Sequence, residues 1–257
     1  MTNTTKIDDL VVLGRAHPEP ITEDRRHTVC VGGYSESLGF VRLYPTRMGM
    51  DELTRWNIVS VEVTESDSDY RDESYKISGS KKDWDHLFEK VEKVGELSKP
   101  ERIQLTSRLA GDCTAVLNEN HISLGMVEPG TVHDIDVRDI GETPTQIDLS
   151  GRKLMGKNDF KNKLYIDYEC ADCSQKTTHT QHVIEWGVYE FWKKHDDPNG
   201  VVDALRLNDD DWKHYFFVGN LRHNPTSYII ISVLRFKKSD MIEAGIRPDE
   251  QFGLGDF

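Results

Sequence analysis

The strongest constraint on this chain is a succession of short segments rich in β-branched and aromatic residues, each bounded by Gly, Pro, Asp or Asn. Leu10-Val-Val-Leu13, Thr28-Val-Cys-Val31, Gly39-Phe-Val-Arg-Leu-Tyr44 and Asn57-Ile-Val-Ser-Val-Glu-Val-Thr64 come first, followed by Ser74-Tyr-Lys-Ile77. Such runs, with partial alternation of apolar and polar residues, read as strands. Gly32-Gly33 and Ser37-Leu-Gly39 bracket a hairpin. Two helical stretches follow. Asp83–Val94 places Leu87, Val91 and Val94 on one stripe, and Ser98-Lys-Pro-Glu101 is a helix start with a Ser cap, Pro in the first turn and Glu three residues on. That helix is expected to stop at Gly111, with strands resuming at Thr114–Leu117 and Thr131–Val137.

The second half repeats the theme. Lys163–Tyr168 reads as a strand, Val183–Lys194 as a helix, and His214–Val218 and Ser227–Phe236 as two more strands, the last apolar on both faces and so central. The polar segment 138–158 is the expected boundary between two lobes, 1–140 and 141–257. Strict strand-helix-strand alternation is missing, and no internal repeat is visible. The expected architecture is therefore mainly β (α+β), with two small OB-like or PUA-like barrels carrying inserted helices.

A compact cluster points to metal. Cys170 and Cys173 lie three positions apart, followed by His179 and His182, also three apart. Two thiols and two imidazoles are the donor inventory of a closed, structural zinc site. His182 and Glu185 also raise a competing reading, a metal-dependent nuclease or other hydrolase, although an amphipathic helix explains them as well. Cys30 and Cys113 sit in apolar settings and read as buried thiols. Gly151-Arg-Lys-Leu-Met-Gly-Lys-Asn158 nearly spells a phosphate-binding loop, but Asn158 replaces the hydroxyl residue that would hold magnesium.

Charge distribution bears on the partner. The chain of 257 residues has a formal net charge of −13, yet the basic residues are clumped. Residues 151–163 and 212–238 together carry +9, which leaves −22 on the other 217 residues. Arg42, Lys157, Lys213, Arg222 and Arg235 are candidates to contact phosphates, with Trp212 and Tyr228 to stack bases. That combination suits nucleic acid, single-stranded above all. Hydrophobic residues make up 37% of the chain, enough for a folded core, and no run of about 18 apolar residues provides a membrane span. The polar start lacks the apolar core of a secretory signal, so a cytoplasmic location with reduced thiols is expected.

Thr28-Val-Cys-Val-Gly-Gly33, Gly39-Phe-Val-Arg-Leu-Tyr-Pro45, Trp56-Asn-Ile-Val-Ser-Val-Glu-Val63 and Arg71-Asp-Glu-Ser-Tyr75 resemble a poorly characterised prokaryotic dual OB-fold domain family. Ser123-Leu-Gly-Met-Val-Glu-Pro129, Ile184-Glu-Trp186 and Tyr215-Phe-Phe-Val-Gly-Asn220 fit the same pattern. The resemblance covers most of residues 8–238. It implies two β-barrels and a nucleic-acid-binding accessory role, with protein partners in a larger defence or nucleic-acid-processing system. It brings no catalytic residues with it.

Overall fold

The computed structural model describes residues 4–20, 27–66, 69–79, 83–111, 113–141, 161–171, 178–195 and 197–248. The protein is mainly β, in two sheets joined by a helical linker. In the first lobe, β1 (Thr4–Arg15), β2 (Glu19–Pro20), β3 (His27–Ser35), β4 (Gly39–Arg47), β5 (Asn57–Glu65), β6 (Ser74–Ile77) and β7 (Val91–Glu96) form one sheet. Five of them close into a barrel, because β1 is long enough to pair with β3 along one part and with β5 along another. The ring runs β1-β3-β4-β6-β5 and back to β1, with β4 and β6 parallel and every other pair antiparallel. Alternation does the filling: Val29 and Val31, Val41 and Leu43, and Val59, Val61 and Val63 all point inward and are buried. The strands expected from β-branched composition all form in this lobe.

The linker, residues 97–123, holds α1 (Lys99–Leu109) and α2 (Thr114–Glu119). The capping box at Ser98 and Glu101 forms as read, with Glu101 Oε2 accepting from the Ser98 backbone N–H at 2.7 Å. Two neighbouring elements differ from expectation. Residues 84–90 make a 3-10 turn, and Val91–Glu96 then forms β7 on the edge of β5, where the β-branched Val91 and Val94 favour extended backbone. Thr114–Leu117 lies in α2 rather than in a strand, since four apolar-biased residues carry too little periodicity to separate the two.

The second sheet contains β8 (Leu124–Val127), β9 (Pro129–Asp139), β10 (Asn162–Cys170), β11 (His179–Val183), β12 (Trp212–Leu221) and β13 (Asn224–Lys237), in the order β8-β12-β13-β11-β10-β9. Only Glu128 separates β8 from β9, so the two ends of this sheet are one bent segment of chain. With β8–β9 taken as a first strand, the second sheet repeats the connectivity of the first lobe. First pairs with second and fourth, second with third, and third runs parallel to fifth. Helices α3 (Trp186–Lys194) and α4 (Gly200–Leu205) lie between the third and fourth strands, and α5 (Lys238–Glu243) follows the last. Because β8 and β9 belong to the second sheet, the change of lobe falls within 97–123 and not at 140.

A shared core welds the lobes. Val11 and Leu13 of β1 pack with Phe217 of β12, Ile231 and Leu234 of β13, and Ile103 of α1. The approach is close enough that a Cβ on Gly32 would lie 2.3 Å from the Phe217 ring. Ala16 makes a β-bridge with Glu185, and the His17 N–H donates to the Ile184 carbonyl at 2.7 Å.

Candidate metal centre and ligand-facing surface

Cys113, Cys170 and His179 converge, their donor atoms all within 4.8 Å of one another, in a group that can hold a metal ion. Cys170 ends β10 and His179 begins β11, on the inward side of the hairpin, while Cys113 arrives from the residue ahead of α2. Cys113 Sγ lies 3.5 Å from His179 Nε2, and the other ring nitrogen, Nδ1, lies 3.2 Å from Thr114 Oγ1. A hydrogen bond at Nδ1 orients the ring and leaves Nε2 as the coordinating atom, an arrangement typical of metal-bound histidine. Cys173 lies outside the described residues.

His182 is not part of this group. The expectation set it against the start of a helix at Val183, but β11 extends to Val183 and α3 starts only at Trp186. On a strand, residues three apart face opposite sides, so His179 points inward and His182 outward. Cys113, read from sequence as a core thiol, takes the place assigned to His182. No local signal marks it, because it is 57 residues from Cys170.

A polar cavity of about 340 Å³ adjoins the cluster, lined by Thr114, Asn118, His179, Gln181, Thr226 and Tyr228 among others. His179 and Thr114 thus belong to both. Tyr228, expected to stack a base, is 7% exposed and donates its hydroxyl to the Ile122 carbonyl.

Two of the five residues chosen for phosphate contact, Arg42 and Lys213, are engaged elsewhere. Arg42 is 3% exposed; its guanidinium donates to Ser74 Oγ at 3.1 Å and to the Ser123 hydroxyl and carbonyl at 2.9 and 3.1 Å, beside Glu73 at 3.7 Å. It ties β4 to the last residue of the linker, next to β8, and cannot reach a ligand. Lys213 is paired with Glu128 at 2.5 Å, and Trp212 lies under Lys237. Arg235 is half-buried, its pKa lowered by that burial against the pull of Glu185. Arg222 is exposed in the β12–β13 turn, and Lys157 lies outside the described residues.

The pairing of His182 with Glu185 for hydrolysis also fails on geometry. Glu185 is 6% exposed and its two oxygens are taken, one by Arg55 at 2.9 Å and the other by the Val233 N–H at 2.7 Å. Arg55 also donates to Ser232 at 2.8 Å, so this carboxylate is a clamp between lobes.

The outward face of β10 and β11 carries cationic and aromatic groups interleaved with the carboxylates of Asp167 and Glu169, with Asp136 of β9 opposite Tyr165. Tyr165 and His182 are cross-strand partners with stacked rings 5.2 Å apart. The Arg138 guanidinium covers the Tyr165 ring at 4.1 Å, held by Asp136 at 2.6 Å, and Lys163 lies on the same face. At the lobe junction, His17 stacks on Tyr189 at 4.3 Å and lies 6.5 Å from His182, and Arg15 covers Trp186 at 4.5 Å. Among the described residues, His182 Nε2 and Arg15 Nε are buried without a hydrogen-bond partner. Burial, with Lys163 and His17 nearby, pushes the His182 pKa down to about 4.

Comparison with known proteins adds one match. A family model described as a domain of unknown function (DUF8758) matches residues 6–108, which span the first barrel and nearly all of α1 and stop before the second lobe. No curated protein matches the chain.

Proposed function

We propose that this chain is a non-catalytic nucleic-acid-binding protein whose two lobes are both OB-type barrels, and that it takes single strands on the outward face of β10 and β11. The observation that carries this reading is the Arg138–Tyr165–His182 row with Lys163 beside it, on the first, second and third strands of a five-stranded Greek-key sheet. That is the face on which OB barrels take oligonucleotides, together with the loop joining their first two strands. Here the corresponding segment, 140–161, carries Arg152, Lys153, Lys157 and Lys161 in sequence. Stacked aromatic and guanidinium planes with flanking cations suit unpaired bases and their phosphates. The resemblance to dual OB-fold proteins points to the same class.

The proposal includes a zinc ion held by Cys113, Cys170 and His179, three protein donors that leave the fourth tetrahedral corner to another group. Thiolates and imidazole are a zinc donor set, whereas magnesium and calcium prefer oxygen. Thiols that hold zinc must stay reduced, which favours the cytoplasm.

Fluorescence anisotropy with labelled single-stranded DNA, RNA and duplex DNA tests the reading. Single strands should bind best, with affinity falling steeply between about 50 and 200 mM salt. Tyr165→Ala should weaken binding about tenfold, since stacking of one base is worth roughly 1–3 kcal/mol. Charge reversal at Arg138 should weaken it further and flatten the salt dependence. Absence of binding at low salt, or full affinity in the Arg138→Glu/Tyr165→Ala variant, overturns the proposal.

A further inference from the structure

We infer that the metal centre is assembled from three separated segments, with Cys113 of the linker as a ligand, and that it clamps the linker onto the second lobe. The inference rests on the zinc reading above and deepens it by assigning that ligand set a purpose. It replaces the local Cys170–His182 knuckle by a site that exists only in the folded chain.

Three observations carry it. First, the spacing of donors matches the ion. With Zn–S near 2.3 Å and Zn–N near 2.0–2.1 Å, sulfur and nitrogen at two corners of a tetrahedron stand about 3.6 Å apart. Cys113 Sγ and His179 Nε2 are 3.5 Å apart. Second, the imidazole is already oriented, with Nδ1 within hydrogen-bonding distance of Thr114 and Nε2 turned toward the thiol. Third, strand geometry removes His182: it faces away from Cys170 and stacks on Tyr165.

The location assigns the role. Cys113 immediately precedes α2, whose Leu117 is buried in the core of the second lobe against Gly125. Helix α2 has only six residues, too few to be stable by its own hydrogen bonds. An ion bound at its leading residue fixes the helix against the β10–β11 hairpin and closes the path from one lobe to the other. Because Thr114 and His179 also line the polar cavity, the same ion sets the position of that wall.

Elemental analysis and cobalt substitution of the full chain provide the test. Wild-type protein purified without chelator should carry about one zinc per chain, and its cobalt form should show a sulfur-to-cobalt charge-transfer band. Cys113→Ser should lose most of the zinc, while His182→Ala keeps it. Cys113→His, which retains a donor, covers the case in which the serine variant fails to fold; it should hold the ion with the charge-transfer band reduced by about half. Full zinc and an unaltered band in both Cys113 variants, with loss in His182→Ala, would overturn the ligand set and leave zinc itself standing. Wild-type protein that takes up neither zinc nor cobalt would overturn both.

Discussion

Three histidines show how far a residue's environment can depart from its chemistry in water. His17, His182 and His214 are all held below the ordinary imidazole pKa, with burial the largest cause in each. The unfolded chain protonates these rings as pH falls through about 6.5, whereas the folded chain does so only at lower pH. Between those values the unfolded state binds more protons, so stability decreases as pH falls. The contribution of His182 is complete above pH 6.5 and is lost progressively toward about 4. The melting temperature should therefore be lower at pH 5 than at pH 7, and His182→Phe should reduce the difference; identical pH dependence in that variant would show that its ring is solvated. Arg42 teaches the same lesson with a different group. In sequence it is a cation between Val41 and Leu43 followed by a tyrosine, a pattern equally suited to an exposed binding strand. Its side chain instead crosses to Ser123 and is buried.

At the scale of elements, legibility tracked the density of local signal. Helix α1 was readable because capping is a short-range interaction: Ser98, Pro100 and Glu101 act within one turn. Replacing Ser98 with Ala should cost about 1 kcal/mol. Urea unfolding followed by circular dichroism measures it, and an unchanged midpoint would mean that the cap contributes nothing. The strand β7 and the helix α2 were misread because neither carries a cap or enough turns to display a period. The start of α3 mattered most. Moving it from Val183 to Trp186 changes the face on which His182 sits, since a strand alternates every residue and a helix every 3.6. That shift alone separates His182 from the metal group and places it beside Tyr165.

At the scale of the molecule, the lobes share both apolar core and buried polar clamps, Arg42 to Ser123 and Arg55 to Glu185. Removing one member of a buried charged network leaves its partners unsatisfied. Arg42→Ala should thus destabilise the protein by about 3 kcal/mol, in a single transition that includes both lobes. Its folded form should bind nucleic acid as wild type does, because the guanidinium faces no ligand. Two separate transitions in calorimetry would show that the shared core does not couple the lobes.

The amino-acid sequence by itself determined the class of the protein: mainly β, with most strands of both lobes marked by β-branched and aromatic residues, and Cys170 and His179 marked as candidate metal donors. These follow from backbone sterics, side-chain alternation and ligand chemistry, all of which act within a few residues. Tertiary structure alone decided that two dissimilar stretches share one connectivity, that Cys113 joins the metal group from 57 residues away, and that Arg138, Tyr165 and His182 form a row across three strands. It also decided which cations are spent inside. Those outcomes depend on strand register and on the contact between lobes, where the partners lie far apart in the chain and no local pattern records which of them meet.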